Sequence, residues 1–523
     1  MQRADLSWLG LLAAAAFATA PAAAAPFRCP HVGGEFIFAQ SANVNGLDQV
    51  VSSAVSTRNI AMNIFETLVT RDDANHASPE LADSIEESPD HLTFTFRLRP
   101  GVKFHNGKPM TSADVLASYN RYKRISILRS TFANIDHWDA PDAATFVIHL
   151  KQVQPTFLEQ LSSFSVPIII TPAEDENDAP QQLKIIGTGP YQLVEYVPGG
   201  YVRLKRFDGY APNGNYQDRT GFGGYKQACF DTVTFRIVTE PGARVAALRT
   251  GEVQGAEDVP ANSLAGLRQD KSITLVPIEN WSIMVALPNL RQPPTDNLFF
   301  RKAVQAALNM DDIMNAATDG NYRLNVGFQY PVQSTYSDAG KETYDIHDTV
   351  RAREYLQQAG YKGEPVVLLT NKDYSYMYNA SVVMQAELQA IGINAQLTVL
   401  DWPSAIAMRQ KPGSVWNYFY TGWGTEPSLG PIPTMQQLMP PNPAYFPKPG
   451  EEDAELAGDF TNMNKLPTPE GRQEAFAHMQ QRTLDQAYIL PFGSMTMVEA
   501  VRANVKGFKP YRIPRVANVW FEN

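Results

Sequence analysis

The chain has 523 residues, of which 44% are apolar and 19% are charged, and its formal net charge is −10 at pH 7. That length exceeds the usual size of one hydrophobic core, so two or more lobes are expected. The acidic balance, without any run of five lysines or arginines, argues against nucleic acid or an anionic membrane as a partner.

The N-terminus has the composition of an export signal. Arg3 gives a weakly positive start, and the apolar stretch Leu6–Leu12 leads into an alanine run that ends at Ala25. This order, with small residues before position 25, predicts a signal peptide over residues 1–24, and the alternative is a frayed N-terminal helix. No later stretch reaches roughly 18 apolar residues, so the mature protein is expected to be soluble and periplasmic. Cys29 follows Pro-Phe-Arg and not small residues, so no lipid anchor is expected.

Cys29 and Cys229 are the two cysteines of the chain. An exported protein meets an oxidising compartment, where disulfides persist. A bridge would tie the mature N-terminus to a strand predicted near 231–238. The sequence does not show whether the two residues approach each other, so bridged and free forms both remain open.

Strand-like and helix-like patterns alternate along the chain, which predicts an α/β protein. In the first half, period-two alternation predicts strands at 93–98, 145–150 and 231–237. Thr111-Ser-Ala-Asp114 has the form of a capping box and predicts a helix that runs to about residue 123.

The second half predicts a βαβ unit, and therefore a parallel sheet, from a strand at 364–370, a helix at 377–390 and a strand at 393–400. Further helices are predicted at 299–308 and at about 470–486. Residues 427–449 contain eight prolines, which predicts a stretch without helix or strand. Such a loop is either functional or a surface connector.

Motifs for catalysis, metals and nucleotides are missing from the sequence. There is no G-x-S-x-G and no H-E-x-x-H. Gly101–Lys108 has five residues between its glycines and is followed by proline, so it is not a phosphate loop. None of the eight histidines shares metal-ligand spacing with another. We therefore expect no catalytic residue, no metal and no cofactor. The runner-up is an exported hydrolase acting on peptides or glycans, which would need a cluster assembled in three dimensions.

Short segments between about residues 33 and 510 occur in the order found in one known family. They are 63–69 (NIFETLV), 79–82 (PELA), 99–107 (RPGVKFHNG), 111–115 (TSADV), 187–191 (GTGPY) and 244–253 (RVAALRTGEV). In this order the chain resembles the family 5 extracellular solute-binding proteins, which include the dipeptide-, oligopeptide- and nickel-binding proteins of ABC importers.

The resemblance implies an α/β, two-lobe periplasmic-binding-protein fold with a hinge, mixed sheets and a lobe one that is discontinuous in sequence. Lobe one would span 25–285, with an inserted subdomain at about 71–200. Lobe two would span 286–492, and 493–523 would return to lobe one. The crossovers are expected at 281–288 and 489–498; the alternative is that both are core strands of one lobe.

The implied function is that of a monomeric periplasmic solute-binding protein of an ABC transporter. It would capture a peptide or peptide-like solute between its lobes and deliver it to the ABC permease at the inner membrane, without chemistry on the solute. A third possibility is a sensor or chaperone accessory that binds solutes without a transporter.

Ligand-binding candidates come from two regions of lobe two and one of lobe one. In peptide-binding relatives, an Asp shortly after a Gly-Trp pair holds the ligand's α-ammonium group. Here Gly422-Trp423 is followed by Glu426 and by no Asp, so the usual reading of a peptide N-terminus is not expected. Trp423 and Tyr420 are candidates for packing on an apolar or aromatic ligand, with core packing as the alternative.

Asp373, Tyr374 and Tyr376 follow a predicted strand end, where ligands of α/β proteins commonly bind, although a surface loop is the alternative. Asn43 and Asn45 follow the first predicted strand and are expected to face the cleft from lobe one.

Overall fold

The structure is a computed structural model that describes residues 25–333, 335–424, 431–439 and 447–522. The predicted signal peptide (residues 1–24) and Glu426 lie outside these ranges. Within them, no helix combines the length and the apolar character that crossing a membrane requires.

The largest sheet of the described residues is mixed and extends through both lobes. Its order is β17 (Ala395–Leu400), β16 (Val366–Asn371), β18 (Tyr418–Trp423), β14 (Ile273–Pro288), β19 (Leu490–Arg502), β13 (Gly255–Ala256), β1 (Glu35–Gln40), β12 (Thr232–Ile237), β9 (Tyr201–Arg206) and β8 (Tyr191–Val197), with β15 (Tyr322–Arg323) paired to β19.

The remaining strands form smaller antiparallel sheets. A four-stranded sheet has the order β4 (Ala82–Glu87), β5 (Thr93–Leu98), β7 (Thr145–Leu150) and β6 (Ile135–Asp142). Three pairs are β2 (Val69–Arg71) with β3 (Ala77–Pro79), β10 (Arg219–Thr220) with β11 (Gly223–Gly224), and β20 (Val505–Lys506) with β21 (Trp520–Phe521).

The helices of the described residues are α1 (Val55–Ala61), α2 (Ser112–Ile125), α3 (Phe157–Leu161), α4 (Pro241–Thr250), α5 (Ala261–Gln269), α6 (Leu298–Ala307), α7 (Met310–Thr318), α8 (Thr349–Gln358), α9 (Ser375–Ala390), α10 (Trp402–Gln410), α11 (Ile432–Gln436), α12 (Ala454–Lys465) and α13 (Pro469–Asp485). The predicted capping box is confirmed at α2, where the carboxylate of Asp114 accepts a hydrogen bond from the Thr111 backbone N–H at 2.8 Å.

The predicted βαβ unit is confirmed by β16, α9 and β17, in which Val366 is the parallel partner of Ala395. The prediction that residues 427–449 hold no helix is wrong, because α11 forms within them. Pro431 is the N-cap of α11 and Pro433 lies within its first turn, where a proline removes no helical hydrogen bond.

Two apolar cores define a two-lobe periplasmic-binding-protein fold. The first core combines residues between Phe36 and Phe235 with residues between Val501 and Val519, so lobe one is discontinuous in sequence. The second is drawn almost entirely from residues between Trp281 and Met497. The long strands β14 and β19 pair antiparallel from Ile273↔Arg502 to Ala286↔Leu490 and connect the two cores. The predicted lobe boundaries fall inside these two strands and stay predictions.

Cys29 and Cys229 are joined by a disulfide, with Cα atoms 5.5 Å apart. Close to it, the backbone N–H of Gly33 donates to the Cys229 carbonyl at 2.8 Å. The adjacent strands β1 and β12 then run parallel, with Glu35 opposite Thr232. The bridge therefore fixes the N-terminus of the described chain beside the start of β12.

A buried ionic cluster connects several of the segments by which the chain resembles the solute-binding family. Lys226 Nζ lies 3.0 Å from Glu66 Oε1 and 2.7 Å from Glu80 Oε1. Thr188 Oγ1 donates to Glu66 Oε2 at 2.9 Å. A Cβ at Gly187 would lie 2.1 Å from the carbonyl oxygen of Ile64, so only glycine fits there. Segments 63–69, 79–82 and 187–191 are thus joined within lobe one, away from the cleft.

Candidate ligand-binding site

A cavity of about 160 Å³ lies between the two lobes. Lobe one contributes the start of α1, residues after α2 and the segment around Phe164. Lobe two contributes residues that follow β16 and β17, together with the end of β18. Trp281 and Ser282 of the crossover strand β14 complete the wall. A solute in this cavity would contact both lobes at once.

The parallel pairing of β16 and β17 places two chain segments at the cavity. Parallel strands end at the same edge of a sheet, where ligands of α/β proteins commonly bind. After β16, the Asn371 side chain accepts a hydrogen bond from the Tyr374 backbone N–H at 2.9 Å and fixes the turn. After β17, Asp401 caps α10 through the Ser404 N–H at 2.9 Å. This cap sets Trp402 in the first turn, facing the cavity.

Aromatic rings form much of the lobe-two wall. Tyr374 and Trp402 pack edge to face with ring centroids 5.4 Å apart, and Trp281 and Tyr376 do so at 6.0 Å. Trp423 also lines the cavity and packs against the core. Such rings offer a large contact area to the apolar part of a ligand and lose little conformational entropy on binding.

Three arginines line the cavity, and none of its described lining residues is Asp, Glu, His or Cys. Arg58 donates to the carbonyls of Ser53 and Ser165 at 2.9 and 3.0 Å. Arg512 donates to the carbonyl of Trp281 at 2.8 Å. The described lining therefore combines cationic side chains with no acidic one, a composition that suits an anionic ligand.

Arg409, on the cavity side of α10, is the arginine best placed to bind a ligand. Its guanidinium carbon lies 4.5 Å from the centroid of the Phe419 ring. Among the described residues, no carboxylate forms an ion pair with it. Burial lowers the pKa of Arg409 to about 10. A guanidinium group in this position offers the planar pair of donors that matches a carboxylate.

Several predicted site residues meet at this cavity. Tyr374, Tyr376 and Trp423 line it. Asp373 lies beside it and accepts a hydrogen bond from the Trp402 backbone N–H at 3.1 Å. Burial raises the pKa of Asp373, although hydrogen bonds from Trp402 and Asn43 oppose the shift. Asn43 of lobe one therefore lies near Asp373 of lobe two.

The other predicted site residues lie elsewhere. Asn45 is exposed and is not among the lining residues. Tyr420 is fully buried in lobe two, where its hydroxyl lies 3.0 Å from the sulfur of Met384. Strand alternation turns its side chain to the face opposite Thr421 and Trp423. Glu426 lies outside the described residues, and the described chain on either side of its segment borders the cavity.

Sequence reasoning missed the lining residues Arg58, Trp281, Trp402 and Arg409 as ligand contacts. A signal existed for the last two. They follow the second strand of the predicted βαβ unit, and the strand-end rule that selected Tyr374 applies equally to them. Arg58 meets the others only when the lobes are brought together, and Trp281 meets Tyr376 only through the long-range packing of lobe two. No sequence pattern encodes either contact.

Comparisons with known proteins agree with this fold and cavity. Residues 76–444 match the family described as bacterial extracellular solute-binding proteins, family 5 Middle. The chain belongs to this family, whose members are binding proteins that work with ABC transporters.

Among its relatives is the "Probable peptide ABC transporter periplasmic-binding protein y4tO" of Sinorhizobium fredii. It is 27% identical over 91% of this chain and 92% of the relative. The glutathione-binding protein GsiB of Salmonella typhi is 27% identical over 96% of this chain and 95% of its own.

Two solved structures share the fold across nearly the whole chain. The PBP AgaA from A. tumefacien R10, in complex with agropinic acid, has a TM-score of 0.81 and 25% identity, over 94% of this chain and 99% of that one. The dipeptide-binding protein of Pseudoalteromonas sp. SM9913, in complex with Met-Leu, has a TM-score of 0.81 and 19% identity, over 94% and 100%.

Proposed function

We propose that this protein is the periplasmic solute-binding component of an ABC importer and captures a small peptide-like solute that carries a carboxylate. The observation that carries the proposal is Arg409, a half-buried cation that lines the cavity between the lobes without a described acidic partner. The names of the relatives support a peptide-like class of solute. The bound agropinic acid of AgaA, an acid by name, supports an anionic solute.

The mechanism is capture by closure. When the lobes close on a solute, water leaves and the attraction between Arg409 and a carboxylate strengthens in the lower dielectric. The solute favours the closed form by its differential affinity for the two forms. The closed form then presents both lobes, as one monomer, to the permease at the inner membrane.

The hydrolase alternative finds no support in the cavity. Hydrolysis needs a general base beside a nucleophile or a metal-bound water. The described lining residues include serines and threonines but no His, Asp, Glu or Cys to activate them. Glu426, outside the described residues, is proposed as a further ligand contact.

The test is a ligand screen by thermal shift and calorimetry on the mature protein. The panel holds short peptides, glutathione, opines, oligosaccharides and metal chelates, and each carboxylate compound is paired with its amide. A ligand at 100 times its Kd should stabilise the protein by about 2.7 kcal/mol. We expect an acid to bind, its amide to bind more weakly, and mass spectrometry to recover the acid intact. Equal binding of acid and amide, or breakdown of the bound compound, would refute the proposal.

A further inference from the structure

We propose that the four-stranded sheet of β4, β5, β7 and β6 in lobe one carries a site for a divalent transition-metal ion, Zn²⁺ first among them. The site is formed by His137, Asp139 and His149. His137 and Asp139 lie on β6 and His149 lies on β7. None of the three lines the cavity between the lobes. The site is therefore separate from solute capture and does not depend on the proposed function.

The two distances between the carboxylate and the imidazole rings are those of ligands that share one metal. Asp139 Oδ2 lies 3.5 Å from His137 Nε2 and 3.4 Å from His149 Nε2. All three ligand atoms lie within 4.8 Å of one another. Two ligand atoms about 2.0–2.1 Å from a tetrahedral Zn²⁺ ion are about 3.3–3.4 Å apart. Hydrogen bonds between nitrogen and oxygen are shorter, about 2.7–3.2 Å.

The strand register brings together residues that are distant in sequence. His137 is the antiparallel partner of His149, and Asp139 is the partner of Val147. Side chains two apart on a strand share a face, and so do direct cross-strand partners. All three side chains therefore project from one face of the sheet. The two imidazole rings lie 4.3 Å apart and nearly parallel, at 12°, so both Nε2 atoms approach the same carboxylate oxygen.

A second observation supports the site independently of these distances. The Nδ1 atom of His137 lies 2.8 Å from Asp136 Oδ2, and Nδ1 of His149 lies 3.2 Å from Thr93 Oγ1. A metal-bound histidine donates its other ring N–H to a carboxylate or other oxygen, which fixes the tautomer and the ring orientation. With both Nδ1 atoms engaged in this way, the Nε2 lone pairs remain available to a metal.

The ligand types select the metal. Imidazole with one carboxylate suits Zn²⁺, Cu²⁺ and Ni²⁺ better than Ca²⁺ or Mg²⁺, which prefer oxygen ligands. The side chains of His137 and Asp139 are 54% and 56% exposed, and that of His149 is 31% exposed. A bound ion would therefore keep at least one position open to water, as three-ligand zinc sites do.

The test is calorimetric titration of ZnCl₂ into the metal-free mature protein, without an affinity tag. We expect one Zn²⁺ per chain, and a loss of at least about tenfold in affinity for His149→Ala and for Asp139→Ala. His478→Ala is the matched control. His478 is also exposed and lies 2.6 Å from Asp459 and 3.8 Å from Glu455, but with one imidazole only. Its affinity should equal that of the wild type.

A spectroscopic readout separates metal ligation from a structural role. Co²⁺ bound at the site should show the visible absorption of a tetrahedral complex, and His149→Ala should remove it while the far-UV circular dichroism stays unchanged. Asp136→Asn should retain the band and weaken binding by about tenfold, because Asp136 acts through His137. Absence of one-to-one Zn²⁺ binding, or wild-type affinity in His149→Ala, would overturn the proposal.

Discussion

Replacing Arg409 by methionine should move the stability of the free protein and its affinity for solute in opposite directions. Methionine keeps a long apolar side chain on α10 and removes the half-buried charge. The pKa of Arg409 falls from its ordinary 12.5 to about 10 on folding, which corresponds to roughly 3 kcal/mol of lost stability at about 1.4 kcal/mol for each pH unit. At pH 7 the group is charged in the folded and unfolded states, so the whole penalty is present.

Removing the charge should therefore stabilise the variant, but the loss of one contact offsets part of this stabilisation. Arg409 packs over the Phe419 ring, and such a contact is worth about 0.5–2 kcal/mol. The net expectation for Arg409→Met without ligand is a stabilisation of about 1–2 kcal/mol, or about 2–8 °C in Tm for a lobe of this size. Affinity for a carboxylate solute should fall by about 1.5–3 kcal/mol, which is roughly 10- to 150-fold.

Differential scanning calorimetry of the free protein and titration with the solute found in the screen measure the two effects. Arg291→Met is a suitable control, because Arg291 is an arginine of lobe two outside the cavity that donates to the Pro447 carbonyl at 2.6 Å. It should leave solute affinity unchanged. A lower Tm for free Arg409→Met would show that the guanidinium already has a stabilising partner, and the argument for an anionic solute would fail.

Three further predictions concern stability. Lys226→Met removes the cation shared by the buried carboxylates of Glu66 and Glu80, and Glu66 then keeps only the more distant Arg99 at 4.0 Å. It should destabilise by about 3–5 kcal/mol in urea unfolding, whereas the more exposed Lys448→Met should lose less than about 1 kcal/mol; equal losses would contradict this. Burial raises the pKa of Glu387 from 4.5 to about 7, so stability is lost as pH rises between these values. Glu387→Gln should therefore gain about 1–2 kcal/mol at pH 8, after a discount for partial exposure, and nothing at pH 4. Replacing Cys29 and Cys229 by serine opens a loop with a separation of 200 residues and should lower the free energy of unfolding by up to about 5 kcal/mol; an unchanged Tm would argue against the bridge.

Local periodicity was sufficient to predict much of the fold. The strands at 93–98 and 145–150 appear as β5 and β7, and the helices predicted at 299–308 and about 470–486 appear as α6 and α13. One side of each element faces an apolar core. Apolar residues therefore recur with a period of 2 in the strands and of about 3.6 in the helices. The prediction that the proline-rich stretch holds no helix is wrong because the effect of a proline on a helix depends on its position in the turn, and the number of prolines alone does not give that position.

Only part of the candidate site could be predicted from the sequence in the same way. Strand ends point to ligand sites, and Tyr374 and Tyr376, which this rule selects, line the cavity; their contact with a ligand stays a prediction. The resemblance to a Gly-Trp segment selects Tyr420, but strand alternation decides which residues of that segment face the cavity. The pairing of His137 with His149 depends on hairpin register, which a search for metal-ligand spacing does not detect.

The path of the chain through β14 and β19 also sets an order of assembly. A polypeptide that emerges N-terminus first presents the core of lobe two, which ends at Met497 on β19, before the segment that follows β19 appears. The core of lobe one needs residues between Val501 and Val519 from that last segment. Synthesis of lobe one therefore begins first and ends last. Until then, the apolar residues of its core lack their native contacts with the C-terminal segment. A truncation near the C-terminus should harm the lobe that contains the N-terminus and leave the uninterrupted lobe able to fold.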